Sequence, residues 1–212
     1  HKRQVLCAYG ITLWGQRELI SFRQGNDESE AKWEAFLNDL YNRGVEGRHC
    51  RLIVTDGCPG LHKALETVYP YIDKQRCWVH KLRNVANKLK KVDLEECMSG
   101  ARSIYLSLHR KEAVSNYKDW SKQWYSTYPR AVDCLSKDLD ELLNFLDTPS
   151  AHRVKVRTTN AIERSFREVR RRTRPMSCFT NTRSVDRIVY GVISHLNQTW
   201  KDKPLCQFTQ QS

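Results

Sequence analysis

The stretch CRLIVTDG, residues 50–57, points to the fold class of this chain. Its short, continuous apolar run, LIV at residues 52–54, is typical of a strand that is buried on both faces of a sheet. Asp56 and Gly57 follow at once and predict that the strand ends in a turn. Apolar residues on one side of the next segment, at Leu61, Ala64, Leu65 and Val68, predict a helix packed against that sheet.

The chain on both sides of residues 50–57 also alternates strand and helix patterns. Residues 5–11 (VLCAYGI) and 17–23 (RELISFR) predict two strands joined by a Gly-containing turn at residues 13–16. Asp27 and Glu30 predict a capping box at the start of a helix, and Gly44 predicts its end. The apolar face of this helix is Trp33, Phe36, Leu37, Leu40 and Tyr41. KQRCWVH, residues 74–80, predicts another strand, so the order is that of an α/β protein.

The middle of the chain, residues 81–148, has a purely helical period. Three apolar stripes show this period. They are Leu94, Cys97, Met98, Ala101, Ile104, Tyr105 and Leu108; Ala113, Tyr117, Trp120 and Trp124; and Val132, Leu135, Leu139, Leu142, Leu143 and Leu146. Tryptophans at helical spacing indicate a core rather than a ligand site. A basic helix from about Asn160 follows, and a last helix carries the apolar residues Val185, Ile188, Val189, Val192, Ile193, Leu196 and Trp200.

Positive charge is concentrated in one segment of this 212-residue chain. The formal net charge is +12, and residues 151–175 alone hold nine basic residues and two acids. A patch this dense suggests a polyanionic partner, most simply nucleic acid. A solvated helix face is the alternative, and composition alone leaves both open.

Cysteine usage and hydropathy suggest an intracellular protein. The eight cysteines are scattered without a Cys-x-x-Cys pair, which favours reduced thiols and therefore a cytoplasmic location. No apolar stretch is long enough to span a bilayer. The first residues run straight into a strand pattern, so we expect no signal peptide and a start inside a domain.

Two positions at predicted strand ends are candidates for chemistry. Asp56 ends a strand, and ligands gather at the carboxyl ends of strands in α/β sheets, where an acid can hold a divalent metal; a turn or cap residue is the alternative. Cys77-x-x-His80 ends the next predicted strand and resembles half of a zinc site, but no second half has suitable spacing. We expect His80 to face the same edge as Asp56.

Glu163 is an acid in a strongly basic helix. Asn160 and Glu163 match an Asn-x-x-Glu capping box, which would explain the carboxylate structurally. Alternatively, Glu163 is a second metal ligand, with Arg167 and Arg170 at i+4 and i+7 on the same face. A metal-binding acid beside phosphate-binding arginines is what a nuclease or transferase acting on DNA requires.

Four motifs together carry a resemblance to a known family. LIVTDGCPGL, QRCWVHKLRN, RTTNAIERSFREVRRRTRP and NTRSVDRIVYGVISHLNQTW occur in this order and cover nearly the whole chain. Together they resemble the bacterial Mutator-type insertion-sequence transposases. The resemblance implies an α/β, ribonuclease H-like mixed sheet flanked by helices and interrupted by an all-α insertion domain. It implies a first catalytic part at residues 1–83, an insertion at 84–156, a second catalytic part at 157–200 and a tail at 201–212.

The resemblance also implies an Asp-Asp-Glu triad that binds two Mg²⁺ (or Mn²⁺) ions. Asp56 takes the position of the second Asp and Glu163 that of the Glu, while Cys77 and His80 take the family's Cys-x-x-His positions. His80 is then a catalytic residue, with Cys77 and Asn160 in support. The first Asp belongs on the first strand, which we expect upstream of Val5 and missing from this chain. The expected DNA-binding residues are Arg157, Arg164, Arg167, Arg170, Arg171 and Arg174.

The function implied is that of a DNA transposase, which hydrolyses a phosphodiester at element ends and joins the freed 3′-hydroxyl to target DNA. Its partners would be transposon ends, target DNA and further copies of the chain in a homodimer or higher oligomer, with no membrane. Two alternatives stay open: a catalytically inactive, domesticated DNA-binding relative, and a ribonuclease H-like nuclease without strand transfer.

Overall fold

The computed structural model describes residues 4–25, 27–173 and 182–209. The described residues contain four strands: β1 (Gln4–Ile11), β2 (Arg17–Gly25), β3 (Leu52–Thr55) and β4 (Asp73–Arg76). The helices of the first half are α1 (Glu30–Asn42), α2 (Pro59–Val68), α3 (Trp78–Ala86) and α4 (Leu94–Leu106). Those of the middle are α5 (Arg110–Trp124), α6 (Pro129–Ser136), α7 (Leu139–Leu143), a 3-10 helix (Asn144–Asp147) and α8 (Arg153–Val156). The last are α9 (Asn160–Thr173), α10 (Thr182–Trp200) and α11 (Cys206–Thr209). The predicted α/β class is confirmed.

The chain forms two compact units. One, here called the hairpin unit, comprises the described parts of His1–Glu46, Lys63–Val68 and Asn160–Ser212. The other, the helical unit, comprises Gly47–His62 and Tyr69–Thr159. The ribonuclease H-like arrangement and the domain boundaries at residues 84 and 156 stay predictions. In the described ranges, no helix is both long and apolar enough to cross a membrane.

The hairpin unit is built on the antiparallel pair β1–β2, which confirms both predicted strands. Its register runs from Gln4 opposite Gly25 to Ile11 opposite Arg17, with an irregularity between Ala8 and Tyr9. The buried core residues that pack against this pair lie on α9 and α10: Val169, Val189, Val192 and Ile193, which cluster with Leu19 of β2. The side chain of Asn197 accepts from the Leu19 N–H at 2.9 Å and donates to its carbonyl at 3.1 Å. This amide therefore pairs with the outer edge of β2 as a neighbouring strand would.

Helix α1 begins differently from the prediction. Ser29 is its N-cap, and Asp27 accepts the Ser29 N–H at 3.0 Å, so the predicted Asp27–Glu30 capping box is wrong. The reason is local: Asp27 bonds two residues ahead in an Asx turn instead of capping the helix. Four of the five predicted apolar positions are buried, whereas Tyr41 is 43% exposed. The predicted end at Gly44 is confirmed by its positive φ of 101°.

In the helical unit, β3 and β4 form a parallel pair in the register Leu52–Asp73 to Thr55–Arg76. The prediction that β3 is buried on both faces is wrong: of its four residues only Thr55 is buried. In the described part of the chain β3 pairs with β4 alone, so much of the strand stays accessible. The predicted strand at residues 74–80 is also shorter than expected. It ends at Arg76, Cys77 is the N-cap of α3, and Trp78 is already helical.

The helical period of residues 81–148 is confirmed, and most residues of its stripes form one hydrophobic core, whereas Leu94 and Leu108 are exposed. The buried aromatic side chains in this core are Trp78, Trp120, Trp124, Tyr128 and Phe145. The indole N–H groups of Trp78 and Trp120 donate to the carbonyls of Leu142 and Cys97 at 2.7 and 2.9 Å. The tryptophans are therefore core residues as predicted, with their polar ends satisfied.

One buried polar side chain joins this core to the sheet. Gln75 of β4 is fully buried; its amide nitrogen donates to the Leu142 carbonyl at 3.0 Å, and its oxygen accepts the Phe145 N–H at 2.7 Å. Asn144 adds a bond of 2.8 Å to the Lys74 carbonyl. The turn between α7 and the 3-10 helix is thus held against β4 by side-chain amides.

Gln75→Met should destabilise the protein by about 1–3 kcal/mol, because it keeps the volume but leaves the buried Phe145 N–H without its acceptor. Urea unfolding followed by tryptophan fluorescence would measure the change. The matched control is Gln123→Met, since Gln123 makes an exposed hydrogen bond to Glu96. Equal midpoints for the two variants would show that Gln75 does not hold the helices to β4.

Candidate active site

Asp56 lies at the carboxyl edge of the β3–β4 pair. It is exposed, and its Oδ1 accepts the N–H of Cys58 at 3.0 Å, so the predicted turn role is present. The parallel ladder continues one step past β4, because the Cys77 N–H donates to the Thr55 carbonyl at 2.7 Å. The residues that follow the two strands, Asp56 and Cys77, therefore share one edge of the sheet, as predicted.

A network of ion pairs lies behind this edge. The Arg76 Nε donates to Glu141 at 2.7 Å, and His62 Nε2 lies 2.7 Å from the other oxygen of Glu141. Partial burial raises the pKa of Glu141, but the hydrogen bonds from His62 and Arg76 outweigh it and hold that pKa below its ordinary value. Asp138 pairs with Lys81 and lies 3.8 Å from the Arg76 guanidinium.

The network also packs against the turn that carries Asp56. Gly57 has a φ of 95°, and a Cβ added there would lie 2.8 Å from the Arg76 Nη1. The guanidinium occupies the space that any other residue at this position would need. Sequence reasoning missed Arg76 and Glu141, because ion pairs between residues 65 positions apart leave no local pattern.

Cys77 and His80 meet a third residue. The Sγ of buried Cys77 accepts from the N–H and hydroxyl of Thr159 at 3.3 and 3.4 Å, and the same hydroxyl lies 3.5 Å from His80 Nδ1. Cys77 here is a hydrogen-bond acceptor that holds the residue before α9. Thr159 was not predicted, although it lies inside the RTTN motif.

Glu163 lies in the first turn of α9 and is half-buried. The helix begins at Asn160 itself, one residue earlier than a capping box with Asn160 as the N-cap requires. Ser165 and Val169 are buried on one side of α9. The arginines on the rest of its surface are all exposed: Arg164, Arg167, Arg170, Arg171 and Arg172. Arg171 pairs with Glu168 at 3.4 Å, and Arg174 lies outside the described residues.

Arg157 has a packing role in the helical unit. Its guanidinium lies 4.7 Å from the centre of the Tyr105 ring, and its carbonyl accepts the Trp78 N–H at 3.1 Å. Its predicted DNA contact stays a prediction.

The donor chemistry of Asp56 and Glu163 suits magnesium, which prefers carboxylate oxygens. Among the residues that the structure describes, however, no group of three or more His, Cys, Asp or Glu side chains is placed to hold a metal ion. The described residues do not complete a metal centre by themselves. The metal-binding and catalytic roles of Asp56, Glu163 and His80, and the supporting roles of Cys77 and Asn160, stay predictions.

A separate groove of about 830 Å³ lies between β2 and α10 in the hairpin unit. Arg17 and Trp200 line it, with the guanidinium 5.0 Å from the centre of the indole ring. None of the predicted site residues lines this groove.

Known proteins are similar to this chain over most of its length. The family model described as transposase, Mutator family, matches residues 1–203. The chain is 37% identical to the transposase for insertion sequence element IST2 of Acidithiobacillus ferrooxidans, over 84% of this chain and 60% of that protein. It is 33% identical to the transposase for IS406 of Burkholderia multivorans, over 92% of this chain and 50% of that protein. The chain thus spans about half the length, or slightly more, of these curated relatives.

Gly57→Ala should destabilise the protein more than Gly44→Ala. Both glycines have a positive φ, where a side chain is strained by about 1–3 kcal/mol, but an added Cβ at Gly44 meets nothing within 4 Å. At Gly57 the new methyl group must also displace Arg76 from Glu141, for an excess of about 1 kcal/mol or more.

Urea unfolding of both single variants measures this difference in the free energy of unfolding. The double variant Gly57→Ala/Arg76→Lys tests whether the contact with Arg76 causes it. The shorter lysine should relieve part of the excess. The packing of Arg76 on Gly57 would be contradicted if Gly57→Ala were no more destabilising than Gly44→Ala. It would also be contradicted if the double variant kept the full additional destabilisation.

Proposed function

Because this chain belongs to the Mutator family of transposases, we propose that it carries the catalytic centre of an enzyme that cuts and joins DNA at insertion-sequence ends. The observation that carries the proposal is the surface of α9, where five exposed arginines surround a helix whose first turn holds the half-buried Glu163. Exposed guanidinium groups bind phosphates with two parallel hydrogen bonds, so this surface matches the backbone of DNA.

The proposed reaction has two steps at phosphorus. In the first, water attacks a phosphodiester at the element end, and the 3′-oxygen leaves and takes up a proton. In the second, that 3′-hydroxyl loses its proton and attacks a phosphodiester of the target, whose own 3′-oxygen leaves. Each step forms one P–O bond and breaks one, so no oxidant, reductant or nucleotide is consumed.

We propose Asp56 and Glu163 as two of the carboxylates that hold two Mg²⁺ (or Mn²⁺) ions. Bound magnesium would stabilise the negative charge that develops on the attacking and leaving oxygens. The position of Asp56 supports this role, because it is exposed at the carboxyl edge of a parallel strand pair, where ligands of α/β proteins gather. His80 lies in the first turn of α3 at the same edge, and Cys77 and Thr159 hold it there.

The DNA partners in this proposal are the element ends and the target. Pairing of two ends would bring two copies of the chain together, so we propose a homodimer or higher oligomer on DNA. A DNA-binding relative without cleavage activity is the second candidate, because Asp56 already has a structural role in the turn through its bond to Cys58.

Glu163→Gln in the full-length protein should abolish DNA cleavage and leave the fold and DNA binding intact. Glutamine keeps the shape and the hydrogen-bonding capacity of glutamate but removes the charge that binds a metal. Glu168→Gln is the matched control, since Glu168 lies on the same helix and pairs with Arg171. Cleavage of labelled element ends in magnesium is the measurement, and a Glu163→Gln enzyme that cleaves like the parent would leave Glu163 only a structural role.

Arg167→Ala should reduce the salt dependence of DNA binding, while Arg172→Ala should not. Arg167 lies one turn beyond Glu163 on the same face, whereas Arg172 lies on the other side of the helix. Each lost phosphate contact lowers the slope of log K against log salt by about one, for all DNA sequences. Titrations of duplex DNA at several salt concentrations measure the slopes, and identical slopes for parent and both variants would show that this face does not bind the backbone.

A further inference from the structure

A second basic segment lies in the helical unit, away from α9 in sequence. Residues 74–92 contain seven basic residues and no acid. The structure sorts six of these residues into two groups, and the seventh, Lys74, donates to the Ile72 carbonyl at 3.4 Å. Arg76 and Lys81 point into the unit, where they pair with Glu141 and Asp138. Four others are exposed: Arg83, Lys88, Lys90 and Lys91, which are called the lysine-turn surface below.

The core packing of α3 and of the turn after it causes this sorting. Val85 is fully buried, and Leu82 and Leu89 pack against the same core at i−3 and i+4. These three anchors leave Arg83 and Lys88, which lie between them, on the solvent side, and Lys90 and Lys91 follow the last anchor. None of the four residues of the lysine-turn surface forms an ion pair within the described part of the chain.

The backbone under this surface is well defined. The N–H groups of Lys88 and Leu89 donate to the carbonyls of Val85 and Ala86 at 2.9 and 3.1 Å, which continues α3 as a tight turn. The Asp93 N–H then donates to the Lys90 carbonyl at 3.2 Å, and Asp93 bounds the basic surface. The lysines are therefore presented on a fixed turn, so less backbone entropy is lost when they bind a ligand.

We propose that the lysine-turn surface binds the phosphate backbone of duplex DNA, in addition to the contact proposed for the arginines of α9. The proposal rests on the proposed function for the identity of the polyanion. Charge complementarity supports it: four exposed cations without acidic partners lie at the end of α3 and on the turn after it, while Arg76 and Lys81 of the same segment are neutralised. Exposed amides of Asn84 and Asn87 lie between them and add hydrogen-bond donors for phosphate oxygens.

The position of α3 determines how far the lysine-turn surface lies from Asp56. The helix begins one residue after Cys77, at the sheet edge that carries Asp56. Lys88 follows Trp78 by ten residues, which is about 15 Å at a rise of about 1.5 Å per residue. Since B-DNA rises about 3.4 Å per base pair, the lysine-turn surface would touch phosphates up to about four or five base pairs from a phosphodiester at Asp56.

The test compares two triple variants of the full-length protein. The first is Lys88→Ala, Lys90→Ala and Lys91→Ala. The control replaces the exposed α5 lysines of the same unit, as Lys111→Ala, Lys118→Ala and Lys122→Ala, and so removes the same charge. Binding of duplex element ends is titrated against salt, with circular dichroism to verify the fold.

We expect the first triple variant to lower the slope of log K against log salt by about two to three, and the control to leave it within about 0.5 of the parent. Equal slopes for the two triple variants, with a parent that binds DNA, would overturn the lysine-turn surface and leave the proposed function standing. A parent that does not bind element ends would instead overturn the proposed function.

Uncharged phosphate analogues in the DNA provide an independent test of where the contact lies. Methylphosphonate groups placed singly along the duplex remove one backbone charge at a time. Neutralisation of the phosphates that the lysines contact, within about five base pairs of the cleaved bond, should weaken the parent more than the first triple variant, because that variant has already lost the contact. Equal losses for the parent and the triple variant at every position would overturn the proposal.

Discussion

Two four-residue strands, β3 and β4, pair in parallel, and the Cys77 N–H extends their ladder by donating to the Thr55 carbonyl. The organisation of the helical unit depends on this pairing. It places Asp56 beside Cys77, and it sets the residue at which α3 begins. Buried Gln75, in the middle of β4, then fixes the α7 turn through its bonds to Leu142 and Phe145. A pair this short needs such support, because two strands alone are marginally stable in water.

In the helical unit, the inward-facing cations are paired with acids, whereas cations on its surface are exposed to solvent. A buried charge without a partner is strongly destabilising, so Arg76 and Lys81 require Glu141 and Asp138. Exposed cations require no partner and remain available to a ligand. The acids therefore neutralise the inward-facing cations and leave much of the excess positive charge on the surface. This distribution explains how a chain with 24 acidic residues can still present strongly basic surfaces.

Periodicity predicted which segments form helices and strands in this fold, and it failed where individual side-chain hydrogen bonds and ion pairs decide the structure. The hairpin strands, the helices of residues 81–148 and the tryptophan core were predicted, because side-chain spacing reports which face is buried. The start of α1 was wrong because Asp27 bonds Ser29 instead of capping the helix. At the candidate site, Asp56 and His80 were predicted to share an edge. Arg76, Glu141 and Thr159 were not predicted, because their contacts join residues 65 to 82 positions apart.

Folding explains some of the charged residues on α9 but not all of them. An acid in the first turn and cations in the last turn interact favourably with the helix dipole, so Glu163 and residues 170–172 have a sufficient structural reason. Arg164 and Arg167 gain little from the dipole, whose effect fades within one turn of each end. Arg167 stands four residues from both Glu163 and Arg171, so a favourable pair and a like-charge pair, each about 0.2–0.5 kcal/mol, oppose each other there. Folding alone therefore gives arginine little net advantage at positions 164 and 167, whereas a bound polyanion attracts both guanidinium groups.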